Sequence, residues 1–487
     1  MLTRRTFLST GLTARAALSL DPRALARPTR RQASDELRVA VVGIRSRGRD
    51  HIEGLRRQPG VRLVALCDTD QEFLDREAQR LAGLEQPVTV DLVRDYRRLL
   101  ERDDVDAVSL ATPNHWHALQ TVWACQAGKH VYVEKPISHN VWEGRQAVKA
   151  ARKHGRIVAA GTQCRSSQAI AEAIAWVQAG SLGRITLARG LCYKPRPSIG
   201  KVGGPQEPPA TLDYDLWTGP APLKPLMRKS LHYDWHWVAD TGNGDLGNQG
   251  IHQMDIARWA LGETGPAPAV LSVGGRLGYD DDGNTPNAQL ALHLYERAPL
   301  LFEVRGLPRD LEAQKGNWGQ GMDDYQGARI GVIIHCEKGQ LRIPSYNAAQ
   351  AYDLEGNEVK RWQGARDHYA NFVAAVRSGR HEDLAADIEE GHQSSALCHY
   401  GNVSHALGQP ASVEELREAA GAHEPMAEAL GRMVAHLQAN GVDLAKTPLT
   451  LGRPLRIDPA AERFVDEDAA NALLTRDYRE PFVVPAI

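Results

Sequence analysis

In the first third of the chain, short apolar runs alternate with amphipathic stretches. The first run covers residues 37–42, is rich in β-branched residues and ends at a glycine. Similar runs follow at residues 61–67, 107–111 and 130–133. Helical patterns separate them, at residues 49–58, 70–82 and 116–127. Strands that alternate with helices of this length predict a parallel, doubly wound sheet.

Beyond about residue 155 the apolar runs have few helical patterns between them. The runs that read as strands cover residues 185–191, 269–274, 289–294, 300–304, 330–335 and 340–343. This spacing predicts a second, largely antiparallel sheet. Residues 194–230 are rich in proline and glycine, which predicts a long ordered loop that could cover a site. Residues 412–438 carry a helical pattern near the end of the chain.

The composition is that of a globular protein with more than one hydrophobic core. The chain has 487 residues, of which 42% are apolar and 24% charged, and its formal net charge is -2. A chain of this length predicts two or more domains. Because there is no basic excess to hold a phosphate backbone, we expect no nucleic-acid partner. No apolar run approaches the roughly 20 residues that cross a bilayer, so we expect no membrane span.

The first residues have the features of an export signal. Residues 3–8 read Thr-Arg-Arg-Thr-Phe-Leu, a twin-arginine pattern, and residues 24–26 read Ala-Leu-Ala, a cleavage pattern. They predict a periplasmic or exported protein. The alternative is a basic tail without a targeting role, because Arg15 interrupts the apolar stretch between the two patterns.

The turn after the first strand predicts a dinucleotide site. The expected fingerprint is G-x-G-x-x-G at the start of a helix. Here Gly43 and Gly48 match, while Arg45 replaces the middle glycine and, with Arg47, offers a cation for the phosphates. Asp68 ends the second strand, where a carboxylate binds ribose hydroxyls and repels a 2′-phosphate. We therefore expect NAD, with NADP possible because both arginines soften that repulsion.

The next two predicted strands end in distinctive polar motifs. They are Thr112-Pro113-Asn114-His115-Trp116-His117 and Glu134-Lys135-Pro136. With the preceding dinucleotide turn, they resemble the glucose–fructose oxidoreductase/inositol dehydrogenase family (Gfo/Idh/MocA) over about residues 37–410. The resemblance implies an NAD(P)-dependent oxidoreductase acting on CH–OH groups of sugars, polyols or their derivatives. It also implies a Rossmann domain followed by an α+β domain with a large, mostly antiparallel, open-faced sheet.

The export pattern, the resemblance and the C-terminal helical pattern together predict a domain plan, and the resemblance also implies an assembly. The predicted parts are a twin-arginine signal peptide and linker (residues 1–34), an NAD(P)-binding Rossmann domain (35–160), a substrate-binding α+β domain (161–410) and a C-terminal extension (411–487). Because members of the family often associate through the exposed sheet face, we expect a homodimer or homotetramer.

The resemblance assigns roles to the two strand-end motifs. The residues that it places at the cofactor are Thr112, Pro113, Asn114, His117, Glu134, Lys135 and Pro136. Lys135 is also the first catalytic candidate and a substrate ligand, because its ammonium can hydrogen-bond the reacting hydroxyl and stabilise alkoxide character. The alternative is a surface lysine in a turn.

A second group of candidates comes from the later domain. His252 is the candidate general base or proton relay, because imidazole titrates near neutrality. The family usually carries an aspartate four residues earlier, on the same helical face. Asn248 stands there. Its amide can orient substrate, but it cannot balance an imidazolium, so we expect His252 to be less basic. The alternative is a capping asparagine beside a packed histidine. Arg165 and His236 are further substrate-binding candidates.

We expect no metal. Four residues are of types that bind metals: His232, Asp234, His236 and His252. Their spacing, however, matches no standard helical metal pair. The neighbouring aromatic residues fit sugar stacking or core packing better.

Three functions remain open at this point. The first is net hydride transfer between NAD and a sugar or polyol carbon. The second is an NAD-dependent glycosidase or lyase that oxidises the sugar transiently and returns the hydride. The third is a non-catalytic sugar-binding protein. Arg45 and Asn248, which replace the expected glycine and aspartate, favour this function, whereas the presence of Lys135 and His252 argues against it.

Overall fold

A computed structural model of the chain describes residues 36–487. The predicted twin-arginine signal, within residues 1–34, lies outside the described residues. Between residues 36 and 487, no helix combines the length and apolar character that crossing a bilayer requires.

The first sheet is parallel and six-stranded. Its strands are β1 (Leu37–Val42), β2 (Val61–Cys67), β3 (Asp91–Val93), β4 (Ala107–Leu110), β5 (His130–Val133) and β6 (Val158–Ala160). The helices between them are α1 (Arg47–Arg56), α2 (Gln71–Ala82), α3 (Tyr96–Leu100), α4 (Asn114–Gln126) and α5 (Val141–Lys153). The strand order is β3-β2-β1-β4-β5-β6, that of the dinucleotide-binding Rossmann fold. Its central strands are mostly apolar and almost entirely buried because helices cover both faces.

The second sheet is twelve-stranded and mixed. Its strands are β7 (Ile185–Tyr193), β8 (Ala269–Gly275), β9 (Ala288–His293), β10 (Leu300–Arg305), β11 (Ile330–Cys336), β12 (Gly339–Ser345), β13 (Ala348–Tyr352), β14 (Glu358–Gln363), β15 (Gln409–Ala411), β16 (Leu449–Leu451), β17 (Leu455–Asp458) and β18 (Arg463–Phe464). The main strand order is β14-β13-β12-β11-β7-β10-β9-β8-β16-β15, and the β7–β10 pair is parallel whereas its neighbours are antiparallel. The predicted fold class, a Rossmann domain followed by a mostly antiparallel sheet, is confirmed.

More helices accompany the second sheet than the sequence predicts. They are α6 (Gln168–Gln178), α7 (Tyr214–Thr218), α8 (Leu231–Asp234), α9 (Ile251–Leu261), α10 (Leu311–Gln314), α11 (Trp318–Gly321), α12 (His368–Ser378), α13 (Ile388–Ala406), α14 (Val413–Gly421), α15 (Glu424–Ala439) and α16 (Asp468–Ala472). Helices α6, α9 and α13 cover one face of the sheet, where Ile174, Met254 and Leu397 pack with Phe302 and Ile334. Helix α12 packs on the Rossmann domain instead, through Phe372 and Val373.

The opposite face of this sheet is less open than the sequence predicts. Helices α14 and α15 lie on it, and Leu430 and Met433 pack against Leu271, Leu292 and Leu301. The predicted open face is therefore wrong for the strands that these helices cover. The physical reason is the alternation of β strands: these leucines point away from α9 and need a second apolar cover. An assembly through this part of the sheet would have to displace the two helices.

The C-terminal segment is part of the same unit. The helical pattern at residues 412–438 forms two helices rather than one, because α15 begins anew with Pro425 in its first turn, where the missing N–H costs nothing. Strands β16 and β17 both pair with β8. Near the end of the chain, Phe482 and Val484 pack against Trp116 of α4.

Candidate active site

A groove of about 540 Å³ runs along the carboxyl ends of the first sheet's strands and continues onto α9. Asp68 lines one end of the groove, which we call the Asp68 end. Lys135 and His252 line the other, which we call the Lys135 end. Ligands of open parallel sheets bind beyond this edge. The groove is therefore the candidate active site.

The turn between β1 and α1 has the close-packed backbone of a phosphate-binding turn. Gly43 has a φ of +73°, and a Cβ added there would lie 2.8 Å from the carbonyl carbon of Ala111. A Cβ added at Gly48 would lie 1.8 Å from the carbonyl oxygen of Gly43, so only glycine lets α1 approach the turn this closely. Ser46 lines the groove and makes no side-chain cap on α1. The positive end of this helix is thus free to face an anion.

Asp68 is held in place by the backbone around it. Its carboxylate accepts hydrogen bonds from the N–H groups of Ile44 and Asp70, each at 3.1 Å. Arg45, at the position of the missing glycine, lines the same end and stacks over the ring of Phe73, with its guanidinium carbon 4.9 Å from the ring centre. This end therefore presents a fixed carboxylate beside an aromatic ring and a cation.

The motif after β4 lines the groove, and a histidine braces it. Thr112, Pro113, Asn114 and His117 are all lining residues. The His117 ring nitrogens lie 2.7 Å from the carbonyl oxygen of Thr112 and 2.6 Å from that of Pro136. Pro136, predicted at the cofactor, is not among the lining residues, and its carbonyl contacts His117 instead. His117 thus ties together the loops that follow β4 and β5.

Glu134 is a buried anion beside the catalytic candidate. It accepts a hydrogen bond from Arg47 Nε at 2.7 Å and lies 3.0 Å from His51 Nε2. Burial alone would raise the pKa of Glu134, but Arg47 and His51 hold it well below its usual range. Arg47 lines the groove as predicted, yet its guanidinium is bound to this carboxylate rather than free for a phosphate.

Lys135 joins the two domains across the groove. Its ammonium donates a hydrogen bond to the carbonyl oxygen of Asn248, which lies in a π-helical turn, Leu246–Gly250, directly before α9. Burial lowers the pKa of Lys135 to about 8, and the Glu134 carboxylate opposes part of this effect. A lysine that titrates near pH 8 can both donate and accept a proton under ordinary conditions.

His252 faces Lys135 from the first turn of α9. It is buried, and its Nδ1 has no hydrogen-bond partner among residues 36–487. Burial and the Lys135 ammonium lower the pKa of His252 well below its ordinary value. Its ring lies 5.4 Å from that of Tyr346. His252 is thus a neutral imidazole, and it shares the groove lining with Asn248 although a π-helical turn replaces the expected α-helical face.

His236 lines the same end of the groove within an aromatic group. Its ring stacks on Trp235 at 3.6 Å between centres, and its Nδ1 lies 2.6 Å from the carbonyl oxygen of Tyr233. His232 lies at the Asp68 end instead, away from His236 and His252. Across the described part of the chain, no three His, Cys, Asp or Glu side chains are grouped as metal ligands.

Arg165 does not reach the groove, contrary to the prediction. Its guanidinium pairs with Asp255 Oδ1 at 2.9 Å and with Glu390 Oε2 at 2.9 Å. Only 8% of its side chain is exposed. Arg165 thus pairs with one carboxylate on α9 and one on α13, and its guanidinium is not available to a substrate.

The predicted loop forms a roof over the groove. We call residues 194–237 the strap. Two backbone hydrogen bonds join it to the β2–α2 turn: the N–H of Asp213 donates to the carbonyl oxygen of Thr69, and the N–H of Gln71 donates to that of Thr211, both at 3.0 Å. Farther along, His232 lies 3.1 Å from Asp70 Oδ2 and packs edge-on against Phe73. The Asp68 end is therefore enclosed from two directions.

Two segments of the chain match models of one family. Residues 37–162 match the oxidoreductase family's NAD-binding Rossmann fold, and residues 184–286 match its C-terminal alpha/beta domain. These are the domains of the Gfo/Idh/MocA oxidoreductase family. The family resemblance seen in the sequence motifs is thereby confirmed.

Relatives of known name match less of the chain. A "Glycosyl hydrolase family 109 protein" of Shewanella sp. (strain W3-18-1) is 38% identical over 122 residues, which are 24% of this chain and 27% of that protein. The matched part thus spans about a quarter of the length of such curated relatives.

Solved structures share the fold over most of the chain. A levoglucosan dehydrogenase in complex with NADH and levoglucosan has a TM-score of 0.56 at 18% identity and covers 76% of this chain and 97% of its own. The WlbA dehydrogenase from Bordetella pertussis, in complex with NADH and UDP-GlcNAcA, has a TM-score of 0.55 at 20% identity. The match covers 75% of this chain and 95% of that dehydrogenase.

Within this Gfo/Idh/MocA fold, some lining residues have no signal in the sequence. Gln249 and Tyr346 line the Lys135 end, and Trp217 of the strap lines the roof. Tyr346 lies in the turn between β12 and β13, about a hundred residues from Gln249, whose amide donates to its hydroxyl at 3.1 Å. Only the pairing of distant strands brings these residues to the groove.

Proposed function

We propose that the chain is an NAD-dependent oxidoreductase that transfers hydride to or from a hydroxyl-bearing carbon of a sugar or polyol. The observation that carries this proposal is the meeting of Lys135, Asn248 and His252 at one end of a groove whose other end is Asp68. Two domains supply these residues, so the proton-handling groups come together only in the folded chain.

The residues along the groove fit NAD. The glycine cradle at Gly43 and the free start of α1 suit a pyrophosphate, and Thr112 to Asn114 line the path to Lys135. At the Asp68 end, a fixed carboxylate suits a ribose with both hydroxyls free and opposes a 2′-phosphate. NAD is therefore favoured over NADP. When bound, it supplies hydride acceptance or donation at its nicotinamide ring.

The chain's own residues handle the hydroxyl proton. Lys135 positions the reacting hydroxyl and, as an ammonium, stabilises negative charge on its oxygen. When Lys135 is neutral, its amine accepts the hydroxyl proton. His252, a neutral imidazole on the opposite wall, is the second proton acceptor. The rings of Trp235 and His236 offer flat apolar surfaces to the sugar.

The first experiment is direct. Protein purified without added cofactor is denatured, and the released small molecules are assayed for NAD(H) and NADP(H) by mass spectrometry. The proposal expects NAD, either released in stoichiometric amount or bound by the empty protein on titration. A protein that holds neither dinucleotide and binds neither on titration would refute it.

A second candidate function has its own support. An NAD-dependent glycosidase or lyase would oxidise a sugar transiently and take the hydride back, so its cofactor never needs to leave. The strap over the Asp68 end favours such a resident cofactor. The curated relatives with matching segments are named glycosyl hydrolases. Free NADH during turnover distinguishes the two functions: a dehydrogenase changes its concentration, and the redox-neutral cycle leaves it constant.

We also propose export by the twin-arginine route and assembly into a homo-oligomer, both suggested by the sequence. Replacing Arg4 and Arg5 together by lysine should retain the protein in the cytoplasm, as measured by cell fractionation. Unchanged export would overturn the first proposal. Light scattering of the mature protein tests the second, and a monomer at micromolar concentration would overturn it.

A further inference from the structure

A second chamber, of about 590 Å³, adjoins the Lys135 end of the groove. Five residues line both cavities and form the boundary between them: Arg47, Gln163, Lys194, Gln249 and Tyr346. Lys194 donates to Gln249 Oε1 at 3.0 Å, and Gln249 Nε2 donates to Tyr346 Oη at 3.1 Å. The chamber is thus continuous with the candidate active site through residues that contact one another.

The boundary carries a positive charge without a counter-ion. Among residues 36–487, the Lys194 ammonium is bonded only to the neutral amide of Gln249. The acidic groups around it are already bound: Asp245 accepts both hydrogen bonds of Arg196, at 2.7 and 2.6 Å, and Glu134 is bound to Arg47. A half-buried ammonium without a carboxylate is costly to keep charged, and burial and Arg196 lower the pKa of Lys194 accordingly.

The rest of the chamber adds charge and aromatic surface. Arg366 lies exposed on its rim, and no carboxylate pairs with it within the described part of the chain. The carboxylate in the lining, Asp367, already caps α12 and accepts from Gln58. Tyr346, 42% exposed, and Tyr369 contribute rings. Aromatic walls with a few fixed polar groups are typical of ligand pockets.

We propose that this chamber binds a carboxylate-bearing sugar unit attached to the sugar that reacts at Lys135, and that Lys194 pairs with its carboxylate. The proposal rests on the proposed function and narrows its substrate class to uronate-containing saccharides or glycosides. A carboxylate supplies the missing counter-ion at Lys194, and the tyrosine rings accept the apolar face of the sugar. A neutral free monosaccharide would leave the chamber empty and Lys194 unpaired.

The test uses NAD-loaded protein and two disaccharide probes, one ending in glucuronate and the other its neutral glucose counterpart. Isothermal titration calorimetry should show the acidic probe binding at least about tenfold more tightly. Lys194→Met should abolish this preference, and Lys194→Arg should retain most of it. Lys338→Met, at an exposed lysine in the turn after β11, is the matched control and should change neither affinity.

Equal affinities for the two probes, binding of neither, or a preference that survives Lys194→Met would each overturn the proposal. Thermal melts of the variants verify that they are folded. Glucuronate alone is a third probe: if it binds as tightly as the acidic disaccharide, the carboxylate belongs to the reacting sugar and the chamber assignment is wrong. NAD binding is measured separately on the same samples. Failure there concerns the proposed function, whereas loss of probe preference with NAD bound concerns the chamber alone.

Discussion

The protonation of Lys135 is the property of this site that can be predicted most sharply. The two largest influences on it oppose each other: burial disfavours the ammonium, and the Glu134 carboxylate favours it. Glu134→Gln removes the second influence and keeps the shape of the side chain. It also leaves the Arg47 guanidinium without its buried partner, so that only the exposed Asp50 carboxylate still balances this charge. Both effects act in the same direction, so the pKa of Lys135 should fall.

The expected size follows from the structure. In the native protein, burial brings the pKa of Lys135 down to about 8 from 10.5, which corresponds to about 3 kcal/mol against the charged form. Removing a neighbouring opposite charge shifts a pKa by about one to three units. The variant should therefore titrate at or below neutrality. At pH 7 the native site then holds mainly an ammonium, whereas in the variant half or more of Lys135 is a neutral amine.

The assay needs no substrate. Trace acetic anhydride labels only neutral amines, so the labelling rate of Lys135, measured by peptide mass spectrometry across pH, reports its pKa. Lys201 is the reference on the same molecule, because it is exposed and Asp280 raises its pKa. Asp50→Asn is the matched control: it removes another carboxylate that contacts Arg47, with a side chain 64% exposed, and should leave the midpoint near 8.

Two results would refute this reasoning. A native midpoint near 10.5 would show that Lys135 is solvated and has no special environment. A midpoint that rises or stays unchanged in Glu134→Gln would show that Glu134 does not stabilise the ammonium. If the prediction holds, oxidation of a hydroxyl by the native protein should speed up as pH rises through about 8, because the neutral amine is the proton acceptor.

Three further predictions test other parts of the molecule. Asp68→Ala should weaken NAD binding at least about tenfold in fluorescence titrations, because each hydrogen bond to a charged group contributes about 1.5–3 kcal/mol. The difference between the affinities for NAD and NADP should become smaller. An unchanged NAD affinity would remove Asp68 from the cofactor site. His232→Ala breaks the strap's contact with Asp70 and should raise the NAD dissociation rate about tenfold in stopped-flow displacement. An equal rate would show that the strap does not retain the cofactor. Leu430→Ala should lower the free energy of unfolding by about 2–5 kcal/mol in chemical denaturation, because it opens a cavity between α15 and the second sheet. A loss under about 0.5 kcal/mol, the range of surface substitutions, would contradict that packing.

Each of these variants has a matched control at an exposed position. Asp50→Ala controls for loss of a carboxylate near the β1–α1 turn, Lys229→Ala for a change within the strap, and Glu418→Ala for a change in the C-terminal helices. None of the three should alter NAD binding or stability by more than about 0.5 kcal/mol.

The Rossmann half of the molecule is predictable because its signals are local. Apolar runs set the strands, and a carboxylate or a lysine at a strand's carboxyl end lies at the ligand edge wherever the sheet is parallel. Asp68 and Lys135 follow from this rule, and both line the groove. No comparable rule predicts where the Arg165 side chain lies. It follows β6, but α9 and α13 offer Asp255 and Glu390, and the guanidinium is drawn to them.

The second half depends on which surfaces meet, and periodicity does not carry that information. The spacing of Met426, Leu430, Met433 and Leu437 predicts an apolar helix face, yet it does not say that a sheet expected to be open is the partner. Pro425 is a local signal for the helix break before α15, but the apolar periodicity continues across it and predicts a single helix. Tyr346 reaches the groove only through the pairing of β11, β12 and β13.

The strap links the two ends of the groove in one continuous segment. It begins at Lys194 on the boundary of the second chamber, crosses to the Asp68 end at residues 211–213 and at His232, and returns to the Lys135 end at His236. We expect a dinucleotide beneath it to leave only after the strap detaches from Thr69 and Gln71. A sugar that enters through the second chamber requires no such detachment. We therefore expect substrate to exchange faster than the cofactor, as a cofactor regenerated in place would require and one released as NADH at every turnover would not.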